Sequence, residues 1–133
     1  MKLLAVAVGG QGVVDPAEPV FHAGDEALLR GAAAFETIRV RGGRAVFLER
    51  HVARLERSSL ALRLPAPGEA ADVAEQAVAA AGADEGALRI FWTGTTLVAT
   101  VAALPDGLDA LRTRGIALVT VRSGAVPGLL AGV

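Results

Sequence analysis

Ala34-Phe35-Glu36-Thr37-Ile38-Arg39-Val40, then Gly42-Gly43, then Arg44-Ala45-Val46-Phe47 running into Leu48-Glu49-Arg50-His51-Val52-Ala53-Arg54-Leu55, is the stretch that decides the fold. Its first part is rich in β-branched and aromatic residues and predicts a strand. Period two puts Phe35, Thr37 and Arg39 on one face and Glu36, Ile38 and Val40 on the other. Gly42-Gly43 is a two-residue hairpin turn, and residues 44–47 return along the first strand. A helix follows over 48–62. Leu48, Val52, Leu55, Ser59 and Leu62 recur at helical spacing and predict its buried stripe. Beside that stripe runs a second one of Phe47, His51, Arg54 and Ser58. Pro65 and Pro67 end the helix.

Working outward, the apolar run Leu3–Val8 predicts a first strand, broken by Gly9-Gly10-Gln11-Gly12. These glycines are not a dinucleotide loop: a third glycine is missing, and Asp15-Pro16 forbids the helix such a loop must open. Residues 13–21 hold Pro16 and Pro19 and read as extended or edge-like. Residues 25–31 read as one helical turn, capped by Asp25 and closed by Gly31. Residues 69–81 predict an alanine-rich helix with a thin core face of Val73, Ala77 and Ala80. Residues 88–93 and 97–104 predict a second hairpin around Gly94-Thr95, 109–114 a linker, and 116–121 a fresh apolar strand without a partner in the chain. Helices and antiparallel strands are grouped rather than alternating, which gives an α+β class. The expected architecture is a small two-layer domain with an antiparallel sheet and two helices over 1–110. Residues 111–133 are then a linker and the first strand of a second, larger domain.

Composition narrows the function. The chain has 133 residues, is 53% hydrophobic and 20% charged, and carries a net charge of -1. It is therefore not disordered. It has no basic surplus to draw nucleic acid or anionic lipid. Cysteine is absent, which excludes disulfides, thiolate metal sites and thiol nucleophiles. Lys2 is the one lysine. The N-terminal apolar run is shorter than the core of a secretory leader and lacks a convincing cleavage site, and no stretch approaches the ~20 residues of a membrane span. The expectation is a cytoplasmic protein without membrane attachment.

Arg54 is the residue with the clearest chemical reading. A guanidinium on the flank of an amphipathic helix suits a phosphate or carboxylate, because its planar fork binds two oxygens at once. The same spacing also fits a solvent-facing arginine among Glu49 and Glu56. His51 lies one turn earlier without a second histidine nearby, so the spacing offers no metal site. Arg89 stands between apolar neighbours in a strand, where a charge needs a partner, a polar pocket or solvent. No nucleophile and base are paired, so no catalytic residue is assigned. This half-shell of arginines and aromatics could hold an anion but could not turn one over unaided.

The order of motifs then becomes specific. The segment 14–20, the Asp25-Glu26-Ala27-Leu28-Leu29-Arg30-Gly31 turn, the Phe35-Glu36-Thr37-Ile38-Arg39 block, Gly42-Gly43-Arg44 and the His51-x-x-Arg54-Leu55-x-x-Ser58 pattern resemble the N-terminal half of the class IV, fold type IV, pyridoxal-phosphate aminotransferases. That group includes branched-chain and D-amino-acid aminotransferases and aminodeoxychorismate lyase. The likeness covers about 14–133. It implies that Arg54 grips the phosphate of pyridoxal 5'-phosphate, that Phe35 lines the substrate pocket, and that Arg89 faces the same site.

Trp92-Thr93-Gly94-Thr95-Thr96 lacks the arginine of the D-amino-acid aminotransferase motif and the insertion of the branched-chain enzymes. The resemblance is therefore closest to the lyase, which releases pyruvate from 4-amino-4-deoxychorismate to leave 4-aminobenzoate, a folate precursor. The alternative is amino transfer to a 2-oxo acid. Residues 129–133 resemble the stretch that in relatives precedes the Schiff-base lysine, so that lysine is expected just after Val133. The chain is then a fragment, or its sequence breaks at a modified lysine. The resemblance also implies a homodimer acting on a small molecule, an amino acid or aminodeoxychorismate. A reading of a different class is a non-catalytic small domain that binds an anion or a partner.

Overall fold

A computed structural model describes residues 2–120. The strand that decides the fold, β3 (Ala34–Arg41), is buried at every even residue up to Val40 and exposed at every odd one, as its alternation requires. Gly42 and Gly43 both take positive φ (56° and 67°), the backbone of a two-residue turn whose twist matches its strands. The chain returns as a short β4 (Arg44–Ala45) and enters α2 (Leu48–Ala61). The other elements are β1 (Leu3–Val8), β2 (Gly12–Val14), α1 (Glu26–Arg30), α3 (Ala70–Ala81), β5 (Glu85–Trp92), β6 (Leu97–Ala102) and α4 (Leu108–Arg114).

All strand pairs are antiparallel, in one six-stranded sheet of order β2-β1-β6-β5-β3-β4. The predicted α+β class with two layers is what forms. α3 lies across β1 and β6 and α2 across β3, both on one face of the sheet. Ile38, Leu55, Leu88 and Ile90 are fully buried between the layers. Burial of each such side chain contributes about 2 kcal/mol. On the opposite face a smaller cluster of Val6, Val8 and Val98 is covered by Val14, Val20 and Phe21.

Several sequence expectations change. Residues 109–114 are not a linker but most of α4. No apolar stripe announced this helix because it buries no side chain; Asp109 in its first turn and Arg112 and Arg114 in its last suit the helix dipole. Ala80 is exposed, and the core face of α3 is instead Ala70, Val73, Ala74, Ala77 and Val78. Leu62 lies past the end of α2 and is half-exposed. Of the strand expected at 116–121, residues 116–120 pair with no strand among the described residues, where Ile116, Leu118 and Val119 are exposed. Val121 and residues 129–133 lie outside the described residues.

Candidate active site

Period two sends Glu36 into the sheet face that α2 covers, beside Ile38 and Val40, and its side chain is only 2% exposed. A carboxylate in that position needs a cation or donors to offset its desolvation. Both come from α2. His51 and Arg54 stand three residues apart, so they project from one flank of the helix. Arg54 donates from Nε to Glu36 Oε1 at 2.6 Å and from Nη2 to Oε2. His51 Nδ1 meets the same Oε2 at 2.7 Å. Burial alone would raise the carboxyl pKa of Glu36. The hydrogen bonds and charges of Arg54 and His51 outweigh it and hold the group below its ordinary value, while the carboxylate raises that of Arg54.

The fork leaves one part of the guanidinium uncommitted. Arg54 Nη1 has no hydrogen bond among the described residues, and the side chain as a whole is 59% exposed. Arg54 is thus neither a loose surface cation nor paired with Glu49 or Glu56. It is a fixed cation at the rim of the sheet. β4 pairs with β3 only at Val40 and Arg41, so Glu36 lies along an edge that β4 leaves uncovered.

The other two predicted site residues occupy the opposite face. Phe35 is exposed and stacks on Phe91, its cross-strand partner, with centroids 6.5 Å apart. Phe21 meets Phe91 edge-on at 5.7 Å. Arg89 lies opposite Thr37 in the β3–β5 register and lines a concavity of about 280 Å³ with Val6, Phe21, Phe91 and Thr100. That concavity includes neither Phe35 nor Arg54. The structure therefore brings Phe35 and Arg89 to one face and sets Arg54 on the other. The residues Phe35 and Glu36, adjacent in sequence, connect the two faces.

The predicted Asp25 cap forms, and it anchors a second polar cluster whose threonines no sequence pattern joined to it. Asp25 caps α1 by accepting from the Ala27 amide at 2.9 Å. Its other oxygen accepts from the Thr93 hydroxyl at 2.8 Å and from Thr95 and Thr96 at 3.2 and 3.4 Å. Trp92 Nε1 donates to the Pro65 carbonyl at 2.7 Å. The tip of the β5–β6 hairpin is thus tied to α1 and to the connection between α2 and α3. Burial of Asp25 acts to raise its pKa, but the Ala27 amide and the three hydroxyls outweigh it and lower the value. Glu36 was findable from its place in a core-facing alternation; the Asp25 cap was expected, but its threonine partners lie 68 to 71 residues further along the chain. Among the described residues no helix is long and apolar enough to cross a membrane.

The chain is similar to known proteins. The family model described as amino-transferase class IV matches residues 33–127. A bifunctional aminodeoxychorismate lyase / D-amino acid transaminase of Mycobacterium tuberculosis is 33% identical over 147 residues, covering 96% of this chain and 50% of that protein. A hypothetical aminotransferase from M. tuberculosis, solved in a PLP-bound form, superposes with a TM-score of 0.71 at 33% identity over 84% of this chain and 44% of that one. Its form with α-ketoglutarate and PMP bound gives 0.69 at 35% identity, again over 84% of this chain and 44% of that one. The chain spans about half the length of these relatives.

Proposed function

The chain belongs to the amino-transferase class IV family, and from that premise we propose that it is the small-domain part of a pyridoxal-phosphate enzyme that eliminates pyruvate from 4-amino-4-deoxychorismate. The observation that carries the cofactor reading is the guanidinium of Arg54, fixed on two nitrogens by Glu36 and left with Nη1 free of hydrogen bonds among the described residues. A rigid fork with unspent donors at an accessible rim fits a phosphate ester, whose oxygens need charge-assisted donors. The PLP-bound M. tuberculosis structure supports the same reading. When bound, the cofactor supplies an electron sink for charge developing at the substrate carbon.

The roles proposed for this chain's residues are those that the family resemblance implies. Arg54 holds the phosphate. Phe35, backed by Phe91, walls the substrate pocket, and Arg89 sets a cation on the same sheet face, at a largely apolar concavity that also holds Glu18. The proposal includes the division into a small domain, 1–110, and 111–133 leading into a larger one, with the lysine that joins the cofactor expected after Val133. It also includes a homodimer in the cytoplasm. The bifunctional M. tuberculosis relative favours one second reading, amino transfer from a D-amino acid to a 2-oxo acid.

The test is to assay the intact protein for pyruvate release from aminodeoxychorismate and for amino transfer, and to titrate it with pyridoxal phosphate. Pyruvate release supports the lyase, and transfer alone selects the second reading. Arg54→Ala is expected to weaken cofactor binding by about tenfold or more. Wild-type protein that binds no pyridoxal phosphate leaves only a non-catalytic domain.

A further inference from the structure

Resting on that cofactor reading, we propose that Glu36 is a positioning residue that fixes the Arg54 guanidinium in its phosphate-gripping orientation, with His51 as a brace. A long arginine side chain 59% exposed on a helix flank has many rotamers open to it. Here the buried carboxylate takes Nε and Nη2, and the ring of His51 secures the same carboxylate. The fork is therefore oriented before any ligand arrives, which lowers the ordering cost of binding.

Two effects of Glu36 oppose each other. Its negative charge repels a phosphate dianion, and its geometry presents Arg54 to one. Glu36 is buried and its charge is already paired with Arg54 and His51, so little net repulsion reaches a ligand at the rim. The orientation acts directly through two hydrogen bonds. The structure therefore favours positioning, and removing the charge is expected to weaken the phosphate grip although it removes a repulsion.

The experiment compares affinities of the intact protein for pyridoxal phosphate and for phosphate-free pyridoxal, followed by absorbance, in wild type, Glu36→Gln and Glu36→Asp. Both variants are expected to lose about tenfold in affinity for the phosphorylated form, the scale seen when partners orienting a ligand-binding group are removed. Affinity for pyridoxal stays unchanged. Glu36→Asp keeps the charge but, one methylene shorter, does not reach both nitrogens of Arg54, so it also separates geometry from charge should Glu36→Gln fail to fold. In an Arg54→Ala background the Glu36 substitutions change nothing further. Equal or tighter binding of the phosphorylated form by the variants, or equal losses for both ligands, overturns the proposal. Wild-type protein that binds pyridoxal phosphate while the variants match it overturns positioning alone; wild type that binds none overturns the cofactor reading with it.

Discussion

Replacing Asp25 with alanine should unfasten two parts of the fold at once. Its carboxylate caps α1 through the Ala27 amide and accepts the Thr93 hydroxyl at 2.8 Å inside a nearly closed site. Loss of an N-cap costs about 1 kcal/mol. Loss of a hydrogen bond to a charged acceptor costs roughly 1.5–3 kcal/mol. Thr93 retains neighbours in the Thr95 hydroxyl at 3.1 Å and the Thr96 carbonyl at 3.5 Å, which brings the second figure toward its lower end. The expected loss for Asp25→Ala is about 2–4 kcal/mol. At about 3–5 °C per kcal/mol for a domain of this size, Tm falls by about 10 °C.

Asp25→Asn retains the capping oxygen and the shape, so its loss stays near 1 kcal/mol. The lowered pKa also sets a pH signature. The contribution of Asp25 is complete above its ordinary value of 3.8 and drains away as pH falls through the lower folded value. Stability of the alanine variant should therefore fall less steeply in acid than that of the wild type. Urea melts at pH 7 and pH 3, with hydrogen exchange at the Ala27 amide, provide the readout. A loss below about 0.5 kcal/mol, within the range of ordinary surface substitutions, or equal losses for alanine and asparagine, would refute the reasoning.

Leu55→Ala removes a fully buried side chain between α2 and β3 and should cost about 2–5 kcal/mol in urea melts. Gly94→Ala places a Cβ 3.2 Å from Leu64 Cδ2 at φ +92°, and is expected to lower stability by about 1–3 kcal/mol with the β5–β6 tip losing exchange protection first. Phe35→Ala gives up an exposed stack on Phe91, so it changes stability by less than about 1 kcal/mol; steady-state kinetics should show KM rising severalfold if Phe35 walls the pocket.

The hairpin and the two long helices were legible because each advertises itself locally. The glycine pair permits one turn type, and the stripe of α2 repeats often enough to fix its face. Ala80 and Leu62 were misplaced because a thin alanine face and a helix end leave periodicity underdetermined; which way α3 rolls depends on β1 and β6, distant in sequence. α4 was missed because a helix that buries nothing carries no apolar period. At the site, Arg54 was found as an isolated cation, and its partner lay in plain view: the alternation that sent Ile38 and Val40 inward sent Glu36 with them. Pairing the two required knowing that α2 crosses β3, which no local pattern states. That Phe35 and Arg89 share one face while Arg54 takes the other also follows only from the assembled sheet.

Strand order carries a consequence for how the protein is made. β1 emerges from the ribosome before the other strands described, yet its central neighbour is β6, with Ala5 opposite Val101 and Val8 opposite Val98. Until about a hundred residues have been synthesised, β1 can pair only with the short β2, and its apolar residues wait without their permanent companion. Loop closure over that span makes productive assembly slow and late, so the nascent chain is exposed to misassembly until β6 has emerged. Changes that speed the closing of β6 onto β1 should therefore raise soluble yield even where they leave equilibrium stability unaltered.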